Sequence, residues 1–253
     1  MDTTTIIRST EAFIAQIRSD RSGWSYAWFR GEPKIGTPLV PKLYRLRPDG
    51  RTRDENKLLQ FFRMKAPTFA AGSFPGRKAT DQWLFLAQHV GLPTRLLDWT
   101  ESALVALHFA LLEQEPVVWM LNPIELNRLS VSASQESSGS EFPLTWFHPA
   151  NVINIGSVNI RGAWENDGPG VSLSVAVQPT NIHPRMSVQR SCFTVQGKDK
   201  SSLADRIPQH LRRYEIEPGV RQRMREDLGM LGICSSTMFP DLDGLARELA
   251  EVY

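Results

Sequence analysis

The chain has 253 residues, 41% of them apolar and 22% charged, and a formal net charge of +2. This suits one large globular domain or two small ones and excludes a low-complexity or strongly polyionic chain. Two cysteines, Cys192 and Cys234, have no metal-ligand spacing, so free buried thiols are expected rather than a disulfide scaffold or a zinc site.

No run of eighteen apolar residues exists, so no membrane span is expected. Met1-Asp2-Thr3-Thr4-Thr5 shows no basic-then-apolar leader, and the expected compartment is the cytoplasm. Ser9 or Thr10 can cap a helix over 9–19 with Phe13, Ile14 and Ile17 on one face. Trp24 to Arg30 alternates large and small residues, which predicts a strand ending at Gly31. Residues 31–50 hold four Pro and three Gly, a long loop carrying Lys34, Lys42, Arg45 and Arg47.

Asp54 predicts the start of a helix over 55–66 that buries Leu58, Leu59, Phe61, Phe62 and Met64. Thr80 or Asp81 starts another, with Trp83, Leu84, Leu86 and Ala87 inward. Gly91 and Pro93 end it. Thr94 to Trp99 then predicts a strand, and Thr100 a cap with Glu101 in the first turn. From Ala103 to Leu112 only His108 is polar, the pattern of a helix buried on every side. Polar groups therefore gather where a strand meets a buried helix, a place suited to an anion.

Val117 to Leu121 predicts a strand covered on both faces. Residues 130–141 are expected as a polar insertion. Val152–Ile160, Val171–Val177, Met186–Val195 and Arg212–Ile216 predict further strands, with Gln189, Ser191, Phe193 and Val195 sharing a face. Pro218 opens a charged surface helix over 219–229, and a final helix spans 243–251.

The expected architecture is one α+β domain over 1–253: helix-rich through 112, strand-rich over 113–217, helical again over 218–253. The chain lacks a Gly-rich phosphate loop, a His-Glu-x-x-His zinc motif and a Gly-x-Ser-x-Gly elbow. His89, His108, His148, His183 and His210 are scattered; His89, in the turn before Arg95, is the better candidate for chemistry. Asp241 and Asp243 read as caps of the last helix.

Phe29-Arg30-Gly31, then Gln88-His89-Val90-Gly91-Leu92-Pro93-Thr94-Arg95-Leu96-Leu97-Asp98-Trp99-Thr100, then Phe239-Pro240-Asp241-Leu242-Asp243-Gly244, resemble the FRG domain of bacteria and phages. The series is also similar, more distantly, to mono-ADP-ribosyltransferases of the arginine–serine–glutamate type. Phe29-Arg30-Gly31 takes the first place, Asp98-Trp99-Thr100 with Ala106-Leu107-His108-Phe109-Ala110 the second, and Gln189 before Phe193 the third.

That resemblance implies a split mixed or antiparallel sheet and an NAD-cleaving transferase without a metal. Phe29, Arg30, Gly31, Arg95 and Phe193 would hold NAD; Gln189, Asp98, Thr100 and His89 would form the catalytic group. Arg45, Arg47 and Arg190 would meet a nucleic-acid acceptor, with a protein acceptor as the alternative. The implied setting is phage defence or a toxin with an antitoxin or defence partner, and no membrane. Asp-Trp-Thr departs from Ser-Thr-Ser, and Gln189 lacks the charge of glutamate. Asp98, Asp241 or Asp243 would then supply that charge, or the module would bind a nucleotide or RNA without chemistry, as a sensor or adaptor.

Overall fold

Short strands buried on both faces build the sheet. The structure, a computed structural model, describes all residues except 1–3, 33, 70–73, 139–152, 155–172, 180–182 and 253. In chain order the elements are β1 (Thr4–Ile7), α1 (Thr10–Asp20), β2 (Trp28–Glu32), α2 (Glu55–Lys65), α3 (Thr80–His89), β3 (Leu96–Thr100), α4 (Ala103–Ala110), β4 (Val117–Leu121) and α5 (Pro123–Ser138). There follow β5 (Ile153–Asn154), β6 (Val175–Gln178), α6 (Pro184–Val188), β7 (Ser191–Val195), α7 (Leu203–Arg206), β8 (Leu211–Ile216), α8 (Arg221–Met230), α9 (Ser235–Met238) and α10 (Leu242–Val252). Among the described residues the strands make one mixed sheet, ordered β1-β8-β4-β2-β3-β7-β6-β5. The outermost pairs are parallel and the inner ones antiparallel.

Alternation along the strands sends side chains to two covered faces. Phe29, Val118, Met120 and Tyr214 meet Phe13 of α1, Ala106 and Leu107 of α4 and Met224 of α8. Trp28, Leu97, Trp99 and Leu121 meet Leu39 of the long loop, Leu126 of α5 and Leu203 of α7. Each large side chain buried in this way contributes roughly 1.5–3 kcal/mol.

Helix α4 lies so close to β2 that a Cβ on Gly31 would stand 1.9 Å from the Ala106 carbonyl oxygen and 2.6 Å from the Ala110 nitrogen. The glycine of Phe29-Arg30-Gly31 is thus where helix backbone meets strand backbone.

The sheet narrows at its centre. β4 pairs with β2 over five residues and β3 with β7 over five, but β2 meets β3 only at Phe29 and Thr100. Beyond that pair the strands part. Where the resemblance implies a split sheet, the described strands form one sheet, continuous in strand order, with β2 and β3 joined at a single register pair.

Caps account for several helix starts. Ser9 Oγ accepts the Ala12 N–H at 3.1 Å and Asp54 Oδ1 the Lys57 N–H at 3.1 Å, where capping was expected. The buried helix begins later than expected, with Ser102 as its cap, because Thr100 remains in strand register with Ser191.

Other expectations fail for tertiary reasons. The strand expected over Trp24 to Arg30 begins only at Trp28 and runs on to Glu32, the length its partner β4 offers. Met186 to Val195 is not one strand: His183 caps α6, Pro184 fills its first position, and Arg190, with φ of 48°, turns the chain into β7. Residues 130–138 of the expected polar insertion continue α5, while 139–141 lie outside the described residues. The polar character of α5 serves docking: Asn127 donates to the Ala176 carbonyl at 3.0 Å and accepts its N–H at 2.7 Å, and Ser130 donates to the Ser174 carbonyl at 2.6 Å.

Of the strand expected over Val152–Ile160, residues 153 and 154 are described and form β5 while the rest lie outside the described residues; of that expected over Val171–Val177, 171 and 172 lie outside them and β6 starts at Val175. Helices and strands are interleaved instead of divided between the two halves. No residue of α2 is buried, and Phe61 and Met64 are exposed. Leu86 is half-buried and Phe85 takes its place in the core.

Gly31→Ala should destabilise the fold by about 3 kcal/mol, the upper end of overpacking costs, since both opposing atoms are backbone and cannot swing away. The urea midpoint against wild type measures it.

Candidate functional site

Where β2 and β3 part, a cavity of about 420 Å³ opens between the seam, α3, α4 and α6. That volume falls within the range of small-molecule pockets. Phe29, Arg30, Gly31, His89, Asp98, Thr100, Gln189 and Phe193 all line it. Residues far apart in the chain are brought around one cavity because two strands diverge and a helix closes the gap.

Arg30 spans the seam. Its Nη1 donates to the Asp98 carbonyl oxygen at 2.7 Å, and its Nε donates to Glu32 Oε1 at 2.6 Å. The Asp98 carboxylate lies 3.7 Å from Nη1. Nη2 has no hydrogen-bond partner among the described residues. Glu32 is buried between Arg30 and Arg45, whose Nη2 is 3.6 Å away. Gln88 Nε2 donates to Asp98 Oδ2 at 2.8 Å, while Gln88 Oε1 accepts the Thr94 hydroxyl. A smaller cavity of about 190 Å³ shares Arg30, Gln88, Gly91 and Asp98 with the first and adds Lys42 and Arg45. Burial, with Arg30 close by, pulls the Arg45 pKa below its ordinary value.

On the opposite wall His89 packs against His183 with ring centroids 4.1 Å apart. Burial, then the positive charges that His183 and Arg185 can carry, lowers the His89 pKa to about 4, against the smaller pull of Asp241 and Asp98. His89 is therefore a neutral imidazole at pH 7, able to donate one N–H and accept a proton on the other nitrogen.

His183 Nδ1 accepts the Arg185 N–H at 3.2 Å, capping α6 and aiming Arg185 at the cavity. The Arg185 guanidinium lies 4.1 Å over the Phe239 ring. Its Nε is buried with no hydrogen-bond partner among the described residues.

The third motif forms this corner. Phe239 packs against Phe109 of α4, and Asp241 Oδ1 accepts the Gly244 N–H at 2.8 Å, the capping role expected of it. Arg185 and His183 are not legible as site residues, because they precede the strand expected from Met186 and only the folded chain shows a five-residue helix there, capped by His183.

Thr100 and Gln189 are committed to the scaffold as well as to the cavity. The Thr100 hydroxyl donates to the Gln189 carbonyl at 2.7 Å and accepts the Ser102 N–H at 3.0 Å. Gln189 stands in the turn before β7, not on the strand, and its Nε2 donates to the Met238 carbonyl at 2.9 Å. Its side-chain oxygen has no hydrogen-bond partner among the described residues.

Four expected residues lie elsewhere or apart. Arg95 lines neither cavity. It is buried, with Nε 2.6 Å and Nη2 2.5 Å from Glu55 Oε2, while its N–H reaches Glu55 Oε1 at 3.0 Å, so it fixes α2 to the edge of β3. Arg45, Arg47 and Arg190 make no common patch: Arg45 faces the smaller cavity, Arg47 pairs with Asp49 at 2.8 Å along another groove, and Arg190 pairs with Glu101 at 3.2 Å. Cys192 is buried, which pushes its thiol pKa up, and Cys234 is half-buried.

Among the described residues no cluster of three metal-ligating side chains occurs, and no helix is long and apolar enough to cross a membrane.

Glu55→Ala should cost about 3–5 kcal/mol by stranding the buried Arg95 charge, read as a fall in the urea midpoint. A second expectation concerns acid. His89 binds its proton better unfolded, near the ordinary 6.5, than folded, near 4, so its contribution is whole above pH 6.5 and lost as pH falls toward 4. Melting temperatures across that window should fall more steeply for wild type than for His89→Gln.

No curated protein and no solved structure matches the chain. The family model of the FRG domain matches residues 25–117, the span from just before β2 to the start of β4 that carries Arg30, the seam and α4.

Proposed function

We propose that the seam cavity binds NAD and that the protein transfers its ADP-ribose to a macromolecule, in the manner of an ADP-ribosyltransferase. The observation that carries this reading is the gathering of Arg30, Asp98, Thr100 and Gln189, from β2, β3 and the turn before β7, around one cavity. Arg30 Nη2 and the orphaned Nε of Arg185 suit a pyrophosphate, each such contact contributing about 1.5–3 kcal/mol. The free oxygen of Gln189 suits a ribose hydroxyl.

Asp98, which lines the cavity with an exposed carboxylate, supplies the negative charge that glutamine lacks beside an oxocarbenium-like centre. In the reaction the bond from nicotinamide nitrogen to the anomeric carbon breaks, its electron pair leaving with nicotinamide. An acceptor lone pair forms the new bond and the acceptor loses a proton, which neutral His89 can take. Lys42 and Arg45 beside the cleft favour a nucleic-acid acceptor over a protein one. The setting in phage defence, or as a toxin held by an antitoxin, follows from the FRG resemblance.

A second reading has its own support. Gln189 has its amide nitrogen tied to Met238 and no carboxylate in its place, which favours a nucleotide- or RNA-binding sensor without chemistry.

Calorimetric titration with NAD, and incubation of labelled NAD with RNA, DNA and protein, separate the two. Expected are binding by wild type, binding weakened tenfold or more in Arg30→Ala and Arg185→Ala but not in surface Arg18→Ala, and label transfer lost in Asp98→Asn. Binding without transfer supports the second reading; no heat of binding overturns the NAD site.

A further inference from the structure

Helix α10 presents its leucines outward. Leu242, Leu245 and Leu249, spaced i, i+3 and i+7, are all exposed, Leu242 by 82%. The flank turned to the body is small and polar. Gly244 is buried so tightly that a Cβ would stand 1.9 Å from the Phe239 carbonyl oxygen, and the Glu248 carboxylate accepts the Ser236 N–H at 2.8 Å. These contacts fix the helix rotation, so the leucines cannot turn inward. A soluble surface helix normally does the reverse.

The same chain carries a concave counterpart. Helix α2 buries none of its residues, and beside it runs an apolar groove of about 660 Å³ containing Phe61, Phe62, Phe69 and Val90. Phe69 is 84% exposed. Arg47, Arg53, Lys57 and Lys65 edge this groove, with Asp54 the acidic residue among its lining. Over 241–252 the sequence has Asp241, Asp243, Glu248 and Glu251 against Arg247 alone. The groove is basic and concave; the helix is acidic and convex.

We propose that α10 of one copy docks its leucine stripe into the α2 groove of a second copy, a head-to-tail contact between identical chains. Anchors at i, i+3 and i+7 entering an apolar groove are the usual geometry of helix recognition, and opposite charge at the edges sets its orientation. The two patches are different surfaces, so the contact is heterologous. It is independent of the nucleotide reading, since none of these residues lines the seam cavity.

Light scattering during size exclusion, across a concentration series, tests it on the full chain. Wild type should rise above the monomer mass of 28.6 kDa with concentration. Leu245→Glu and Phe61→Glu, both at exposed positions, should each stay at monomer mass with unchanged circular dichroism. Lys57→Glu provides a second groove variant of the same expected behaviour. An equimolar mixture of Leu245→Glu and Phe61→Glu should recover dimers, because one retains an intact groove and the other an intact helix. The proposal is overturned if wild type stays monomeric throughout, if Phe61→Glu self-associates as wild type does, or if the mixture stays monomeric. Self-association that survives Phe61→Glu but not Leu245→Glu would mean that α10 pairs with another surface, itself included.

Discussion

The bond from the Arg30 guanidinium to the Asp98 carbonyl holds the centre of this protein together. A sheet that pairs β2 with β3 at a single residue leaves main-chain groups along the seam without ladder partners, and the Asp98 carbonyl takes its donor from elsewhere. Arg30 supplies it from a side chain. Glu32, two residues on, anchors the same guanidinium through Nε. One arginine thus replaces part of the missing ladder and stands at the mouth of the cavity that the missing ladder creates. Fold and site share this residue because the gap in hydrogen bonding and the gap in packing are the same gap.

Helix α4 makes the gap possible. Its small residues let it descend onto β2 until only glycine fits at position 31, and its Phe109 reaches across to Phe239. The third motif is thereby drawn to the cavity from the far end of the chain. Arg185 is trapped between Phe239 and the cavity with a buried donor unsatisfied, a state that costs about 1–3 kcal/mol. An anion in the cavity would offset that cost. His89, held well below its ordinary pKa by burial, stays uncharged at neutral pH, so Arg185 beside it carries positive charge at this corner.

The surface divides into regions of different chemistry. The seam sets arginines and carboxylates of both signs among apolar walls, whereas the α2 groove and the α10 stripe are apolar with charge confined to their edges. An exposed leucine stripe on a helix pinned by glycine is stable only because burial of the opposite flank is enforced by close backbone contact.

Several features follow from sequence alone, and each is local. The capped starts at Ser9 and Asp54, the apolar run of α4 and the doubly covered β4 depend on neighbours within a turn or two, which pattern reveals. Of the nine residues that the motif series assigned to NAD binding or catalysis, all but Arg95 line the cavity, because each motif marks the end of a strand or the start of a helix. What the sequence could not show is pairing over distance. Arg95 and Arg30 look alike in the chain, yet Glu55, forty residues away, claims one while the open seam keeps the other beside the cavity. Likewise α2 has the pattern of a buried helix, yet it packs on α3 along one side only and leaves Phe61 and Met64 exposed, and Asn127 and Ser130 look like insertion residues until β6 meets them. Periodicity records which face of an element is apolar; only the folded chain decides whether anything is there to cover it.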